Sequence, residues 1–235
     1  MCGRAYSTFS DEELYFRYLN RKIWPWPVET KALEIRPNYN MCPTQTAPVV
    51  CVSEGRLCVL PMRWGLVPGW AKSVKDADKY SMINARSEEI AEKRSYKAAL
   101  QKRRCIVPVS GFFEWKREAG ANKRPFAVSL KGEPIMGIAG IYEHWVSKES
   151  EEVVDSFALV TTAANSFMKE IHDRMPVILG EEDEEGWLDP ANSDPASVVK
   201  FMKSCPSEWL DSYEVSKAVN SPRNNSPQVL LKLSA

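Results

Sequence analysis

The stretch Ile106–Tyr142, IVPVSGFFEWKREAGANKRPFAVSLKGEPIMGIAGIY, decides the fold class. Ile106–Val109, Phe126–Leu130 and Ile135–Tyr142 are short runs rich in Val, Ile and Phe, bounded by Gly, Pro and Lys, and they read as strands. Between them, Gly111-Phe112-Phe113-Glu114-Trp115 fits an alternating strand whose aromatics face inward. Working outward, further β-type runs stand at Val49–Val52, Leu57–Leu60 and Phe157–Thr162. Helical patterns occupy Ser87–Leu100, Asn165–Ile171, Glu181–Leu188 and Ala196–Ser204. Ser10-Asp11-Glu12-Glu13 has the S-x-x-E form of a capping box and predicts a short helix over roughly 11–20. Helices interrupt the strands irregularly, without a βαβ rhythm. The expectation is therefore α+β, with a mixed, strongly curved sheet and peripheral helices. No repeat, linker or low-complexity segment divides the 235 residues, so one domain over 1–235 is expected.

Composition is that of an ordinary globular chain, 44% hydrophobic and 26% charged. No apolar run approaches the roughly 18 residues of a membrane span. Met1-Cys2-Gly3-Arg4, followed by Asp11-Glu12-Glu13, lacks the apolar core of a signal peptide. A cytosolic chain is expected, at a bacterial nucleoid or, in a eukaryote, in the nucleus. Formal net charge is zero but unevenly spread. Residues 1–130 hold 22 Lys+Arg against 13 Asp+Glu, a balance of +9, and residues 131–235 hold 9 against 18, a balance of −9. Lys93-Arg94, Lys102-Arg103-Arg104 and Lys123-Arg124 suit a face for a phosphate backbone, although solvated charges without a partner would give the same count. The six cysteines form no C-x-x-C pair and only two histidines are present, so neither a metal site nor a cofactor is expected. Cys51, Cys58 and Cys105 lie in apolar runs and read as small buried hydrophobes. Cys2 lies outside any such run.

Cys2 carries a distinctive chemistry. Removal of Met1 would leave one residue bearing a free α-amine and a thiol. An α-amine titrates near ~7.7–8.0, against ~10.4 for lysine, so a sizeable fraction is nucleophilic at neutral pH. Such an amine condenses with an aldehyde to a Schiff base. The thiol, two carbons away, can then add to the imine carbon and close a five-membered thiazolidine. Three other segments hold groups that could serve this chemistry. In Ile83-Asn84-Ala85-Arg86-Ser87-Glu88, Asn84 offers a donor and an acceptor, and Arg86 a fork for phosphate. Trp64 and Trp70, just upstream, could stack on bases, with at least one of them assigned to the core. In Gly111–Trp115, a Glu114 set among aromatics would be partly stripped of water and able to carry a proton, while on an alternating strand whose aromatics face inward it would instead be a surface carboxylate. In Glu170-Ile171-His172-Asp173-Arg174-Met175-Pro176, His172 stands between a carboxylate and an arginine that could tune and orient it. His144 has no comparable setting and reads as structural.

The order MCGR, PMRWGLVPGW, NARSE, GFFEW and IHDRMP, with Val215-Ser216, Val219-Asn220 and Arg223-Asn224-Asn225 near the end, resembles the SRAP family of SOS response-associated peptidases, the abasic-site processing proteins. Ser110 departs from the Asp often found before the Gly-Phe-aromatic-Glu-Trp stretch. The resemblance implies a single α+β domain with a barrel-like sheet and a basic groove for single-stranded DNA. It further implies that Cys2 crosslinks to the aldehyde of an abasic site and that Asn84 positions the reacting groups. Glu114 and His172 would move protons, Arg4 and Arg86 would bind phosphates, and Trp70 would stack on a base. A monomer, a weak lyase side reaction and self-catalysed loss of Met1 also follow from it. Two other readings remain open on sequence. One is a thiol peptidase with Cys2 as nucleophile, His172 as base and Asn84 as orienter. The other is a non-covalent reader of modified DNA.

Overall fold

A computed structural model describes residues 2–20, 24–29, 34–118 and 123–233. Its strands, in chain order, are β1 Ala5–Ser7, β2 Asn38–Met41, β3 Thr46–Ser53, β4 Arg56–Trp64, β5 Asn84–Arg86 and β6 Arg104–Val109. They continue as β7 Gly111–Arg117, β8 Lys123–Leu130, β9 Met136–Val146, β10 Val153–Ala163, β11 Arg174–Pro176 and β12 Leu210–Glu214. The helices are α1 Asp11–Leu14, α2 Val74–Asp78, α3 Arg94–Lys102, α4 Ser166–Lys169, α5 Glu181–Leu188 and α6 Pro195–Val199.

Strands β10, β4, β3, β6 and β9 pair in a closed ring, because β9 returns to pair with β10. Closure leaves no edge in the ring. Only the β10–β4 step is parallel. β5 adds parallel to β10 on one side and β11 antiparallel on the other. A second, wholly antiparallel sheet runs β12-β8-β7-β1-β2. The barrel strands are buried on both faces, which is why β6 after Arg104 reads as an unbroken apolar run. One face packs Val50, Ile106, Ala139 and Ala158 against Leu14, Leu100, Trp187 and Val198 of the helices. The other packs Val49, Cys51, Cys105 and Phe157 with Ala5, Phe112 and Val128 of the second sheet.

The α+β class and the curved, closed sheet agree with expectation. The six β-type runs fall in β3, β4, β6, β8, β9 and β10, and the Gly111–Trp115 segment lies in β7. Glu181–Leu188 is α5 residue for residue. The capping box forms: Ser10 N–H donates to Glu13 Oε2 at 2.7 Å and Glu13 N–H to Ser10 Oγ at 3.2 Å. Beyond Leu14, however, the helix widens into a π-helical turn over Tyr15–Leu19. The helix expected at Ser87–Leu100 starts only at Arg94. Ser87 N–H is drawn to Thr161 O of β10 at 2.8 Å, which holds the preceding turn open. The helices near Asn165–Ile171 and Ala196–Ser204 shorten to α4 and α6.

Part of the charge asymmetry is cancelled within the fold. Arg17 pairs with Glu184, Arg103 with Glu143 and Arg124 with Glu214, each joining a cation of the basic part to an anion of the acidic part; the Glu88–Arg174 pair runs the opposite way. Arg104 corrects the reading of Lys102-Arg103-Arg104 as a phosphate face. It is buried, and donates to the carbonyls of Leu100, Gln101, Trp187 and Asp189. Among the described residues no helix is long and apolar enough to cross a membrane.

Candidate active site around Cys2

The register of β1 places the N-terminal segment. Ala5 lies opposite Phe112 and Tyr6 opposite Gly111, and Phe113 N–H donates to Arg4 O at 2.9 Å. Continued by two residues, this antiparallel pairing brings Cys2 alongside Glu114 and Trp115. The approach demands glycine at 111, where a Cβ would stand 2.3 Å from both Tyr6 Oη and Val128 O.

Cys2 is only 1% exposed. Burial, and then the Glu114 carboxylate, push its thiol up to about 12. That electrostatic influence marks Glu114 as its neighbour. Cys2 O accepts from Asn84 Nδ2 at 2.7 Å. Asn84 opens β5, in register with Leu159 of β10, and its own carbonyl accepts from Tyr96 Oη at 3.2 Å. Asn84 Oδ1 is buried and has no hydrogen-bond partner. A buried acceptor left in that state costs about 1–3 kcal/mol, so it is a place where an incoming N–H or O–H would be welcome.

Glu114 is 3% exposed on β7, with Oε2 accepting from Trp115 N–H at 3.3 Å. It lines a cavity of about 200 Å³ with Trp115, Arg117, Lys123 and His172. A second cavity, of about 550 Å³, shares Arg117 and His172 and adds Lys116, Lys169, Glu170, Ile171 and Asp173. His172 lies in the turn between α4 and β11, its N–H donating to Met168 O at 2.8 Å. Its ring Nδ1 accepts from Arg174 N–H at 3.0 Å and lies 2.9 Å from Asp173 Oδ1. A backbone N–H always carries its proton, so in the neutral ring Nδ1 is the acceptor and the proton sits on Nε2. Asp173, 89% exposed, is then a charge nearby and not a hydrogen-bond partner. The orienting group is thus the backbone of Arg174. Its guanidinium turns away, to Glu88 at 2.6 and 3.0 Å and to Thr161 O at 2.8 Å.

Arg4 sits beside the site but is engaged in structure. Its Nη1 donates to Asn40 Oδ1 at 2.8 Å and to Val219 O at 2.7 Å, and its guanidinium lies 5.9 Å from the Trp115 ring centre. Asn40 Nδ2 reaches the carbonyls of Val219, Ser221 and Asn224, and Trp115 Nε1 donates to Asn220 Oδ1 at 2.8 Å. The late segment singled out in the sequence is therefore a clasp over the N-terminal strand. Arg86 is 51% exposed, 3.8 Å from Glu89. Trp64 is the core tryptophan and Trp70 the surface one, 43% exposed and edge-on to Tyr80 at 5.3 Å. His144 faces solvent on β9, its Nδ1 donating to Asp155 Oδ1 at 2.7 Å.

Sequence reading passed over Lys116 and Arg117, whose signal was the basic pair directly after GFFEW, and Lys169, which carried no such signal. Among the described residues, these and Lys123 make no ion pair. Also among the described residues, no group of three His, Cys, Asp or Glu side chains is arranged to hold a metal ion.

A family model described as SOS response associated peptidase (SRAP) matches residues 1–222. The abasic site processing protein YoqW of Bacillus subtilis (strain 168) is 39% identical over 197 residues, covering 84% of this chain and 87% of its own. YoaM, of the same name and organism, is 37% identical over 232 residues, covering 98% and 97%. The abasic site processing protein HMCES of Pongo abelii is 33% identical, over 83% of this chain and 64% of its own. A solved structure of a Bacteroides thetaiotaomicron protein superposes with a TM-score of 0.82 at 31% identity, covering 99% of this chain and 100% of that one.

Proposed function

The chain belongs to the SRAP family, and on that premise we propose that it processes abasic sites in DNA, capturing their aldehyde covalently at Cys2. The observation that carries the proposal is the convergence on residue 2 of motifs far apart in sequence. Asn84 holds its carbonyl at 2.7 Å, and the charge of Glu114 acts on its thiol.

Loss of Met1 frees the Cys2 amine. Its nitrogen attacks the open-chain aldehyde carbon, the carbonyl oxygen takes a proton, and a carbinolamine results. Protonation and loss of water give the imine. The thiol then adds across C=N, sulfur to carbon and proton to nitrogen, closing the thiazolidine. Each step moves a proton, for which Glu114 and the Nε2–H of His172 are suited donors and acceptors. Asn84 fixes the Cys2 backbone and offers its unfilled Oδ1 to an arriving N–H or O–H. A thiol raised to about 12 remains S–H at neutral pH, so the amine reacts first and sulfur closes the ring. The same property disfavours a thiol peptidase, whose nucleophile is a thiolate with a lowered pKa. β-Elimination from the imine would give weak lyase activity.

Single-stranded DNA is the substrate form proposed, because the lesion must leave any stack to reach a buried residue. Lys116, Arg117, Lys123 and Lys169, around the two cavities that meet at His172, are placed to take its phosphates. Trp70 offers an exposed stacking face. Incubation with an abasic single-stranded oligonucleotide should give a heat-stable adduct of the summed mass less one water, absent from Cys2→Ala. A Cys2→Ala protein that crosslinks as well as the parent overturns the proposal, as does a parent that forms none after Met1 is removed.

A further inference from the structure

The guanidinium of Arg174 is engaged through both Nη atoms while its buried Nε has no partner, and its contacts lead away from the groups around Cys2. Both its Nη atoms reach the Glu88 carboxylate, at 2.6 and 3.0 Å, in a forked, charge-assisted pair. Nη2 also donates to Thr161 O at 2.8 Å and Oγ1 at 3.3 Å. The side chain is 14% exposed, and Arg174 holds Glu88 below its ordinary carboxylate range. Geometry explains what is being held. β5 and β11 both pair with β10, at Thr161 through Arg86 on one side and Pro176 on the other. Arg174 crosses Thr161 to reach Glu88, two residues beyond Arg86. One ion pair therefore ties the end of the strand that carries Asn84 to the residue whose N–H occupies His172 Nδ1.

We infer that Glu88 is a positioning residue: by gripping the Arg174 side chain it fixes the 172–174 turn, keeps the Arg174 N–H on His172 Nδ1, and so commits the imidazole to the Nε2–H tautomer on the wall of the Glu114 cavity. The inference rests on the reading of His172 as a proton carrier. It concerns a residue that is 50% exposed, far from the reacting atoms in sequence, and absent from the groups that touch Cys2. Arg174 supplies the hydrogen bond through its main chain, so replacing its side chain leaves the donor in place and removes only the grip. Glu88 lies one step further back.

The chain offers a clean spectroscopic test because it has two histidines, and they are assigned opposite tautomers. His144 Nδ1 faces the Asp155 carboxylate at 2.7 Å and must carry the proton, whereas His172 Nδ1 must not. In protein labelled with 15N-histidine, at a pH where both rings are neutral, the parent should show one ring of each kind. In Glu88→Ala the His172 signals should move toward a mixture of tautomers while His144 stays unchanged. Adduct formation with the abasic oligonucleotide should slow roughly tenfold. Binding to an oligonucleotide carrying tetrahydrofuran, which has no aldehyde, should stay within about twofold, separating positioning from a lost phosphate contact. Glu88→Gln, of the same shape without the charge, reports the same shift if Glu88→Ala fails to fold. A parental His172 protonated on Nδ1 overturns the inference, as does a folded variant with the parental tautomer and adduct rate. A parent that forms no adduct instead sinks the proposed function, a result distinct from either.

Discussion

The Cys2 thiol, held up to about 12 by burial and the Glu114 carboxylate, gives the proposed nucleophilic residue a pH signature of its own. An acid whose pKa is raised stays neutral until the pH nears the new value. Iodoacetamide should therefore modify Cys2 at pH 8 on the order of a thousandfold more slowly than an ordinary thiol of pKa ~8.5, with the rate still rising above pH 10. Peptide mapping by mass spectrometry measures this directly, and Glu114→Gln should move the curve to lower pH. A plateau near pH 9 in the parent would contradict the assigned environment. Glu114 was legible in the sequence because a carboxylate among three aromatics has few ways to be solvated. The role of Arg174 was not. Its position beside His172 suggested side-chain contact, whereas strand pairing turned the side chain across Thr161 and left the main chain to do the orienting.

Among the elements, β1 is short and depends on its neighbours, and Gly111 is where that dependence is sharpest. A methyl group at 111 would meet Tyr6 Oη and Val128 O at 2.3 Å. Since one contact is backbone, relief requires β1 or β8 to move away from β7. Gly111→Ala should cost about 1–3 kcal/mol, lowering the melting temperature by several degrees, and should slow adduct formation by displacing Cys2. Calorimetry with an adduct time course checks both, and a variant with parental melting would refute the close approach. The long strands were legible because burial on both faces gives them continuous apolar runs, as in Cys105–Val109 of β6. β1, β2, β5, β11 and β12, of three to five residues and often polar, carry too little pattern to stand out, and they include the strand that bears Asn84. Helix onset at Ser87 failed for a different cause: a tertiary hydrogen bond to β10 outweighed local preference.

For the whole molecule, buried thiols make alkali the vulnerable side. Cys2 and Cys205 are both pushed to about 12 by burial, and Cys105 is raised as well. Unfolded thiols ionise from ~8.5, whereas the folded ones resist. Stability is therefore intact below ~8.5 and is lost as pH rises toward 12, by up to ~1.36 kcal/mol per pH unit for each thiol. Melting temperatures measured from pH 8 to 11 should fall with increasing slope, and Cys205→Ala should flatten that fall. The charge partition was visible in the sequence, but its use was not, since cross-molecular ion pairs absorb several of the cations. Those left open around His172 should govern the salt dependence of DNA binding, each of Lys116→Ala and Lys169→Ala lowering the slope of log K against log salt by about 0.7 on a single strand. The clasp from Arg4 to Val219 spans 215 positions. On the proposed function, an external aminopeptidase that trims Met1 would have to act before this clasp closes over the amino end. A full-length precursor folded with Met1 in place should resist the same enzyme, and unfolding it in urea should restore the cut. On that reading, the calendar of folding would set whether the reactive amine exists.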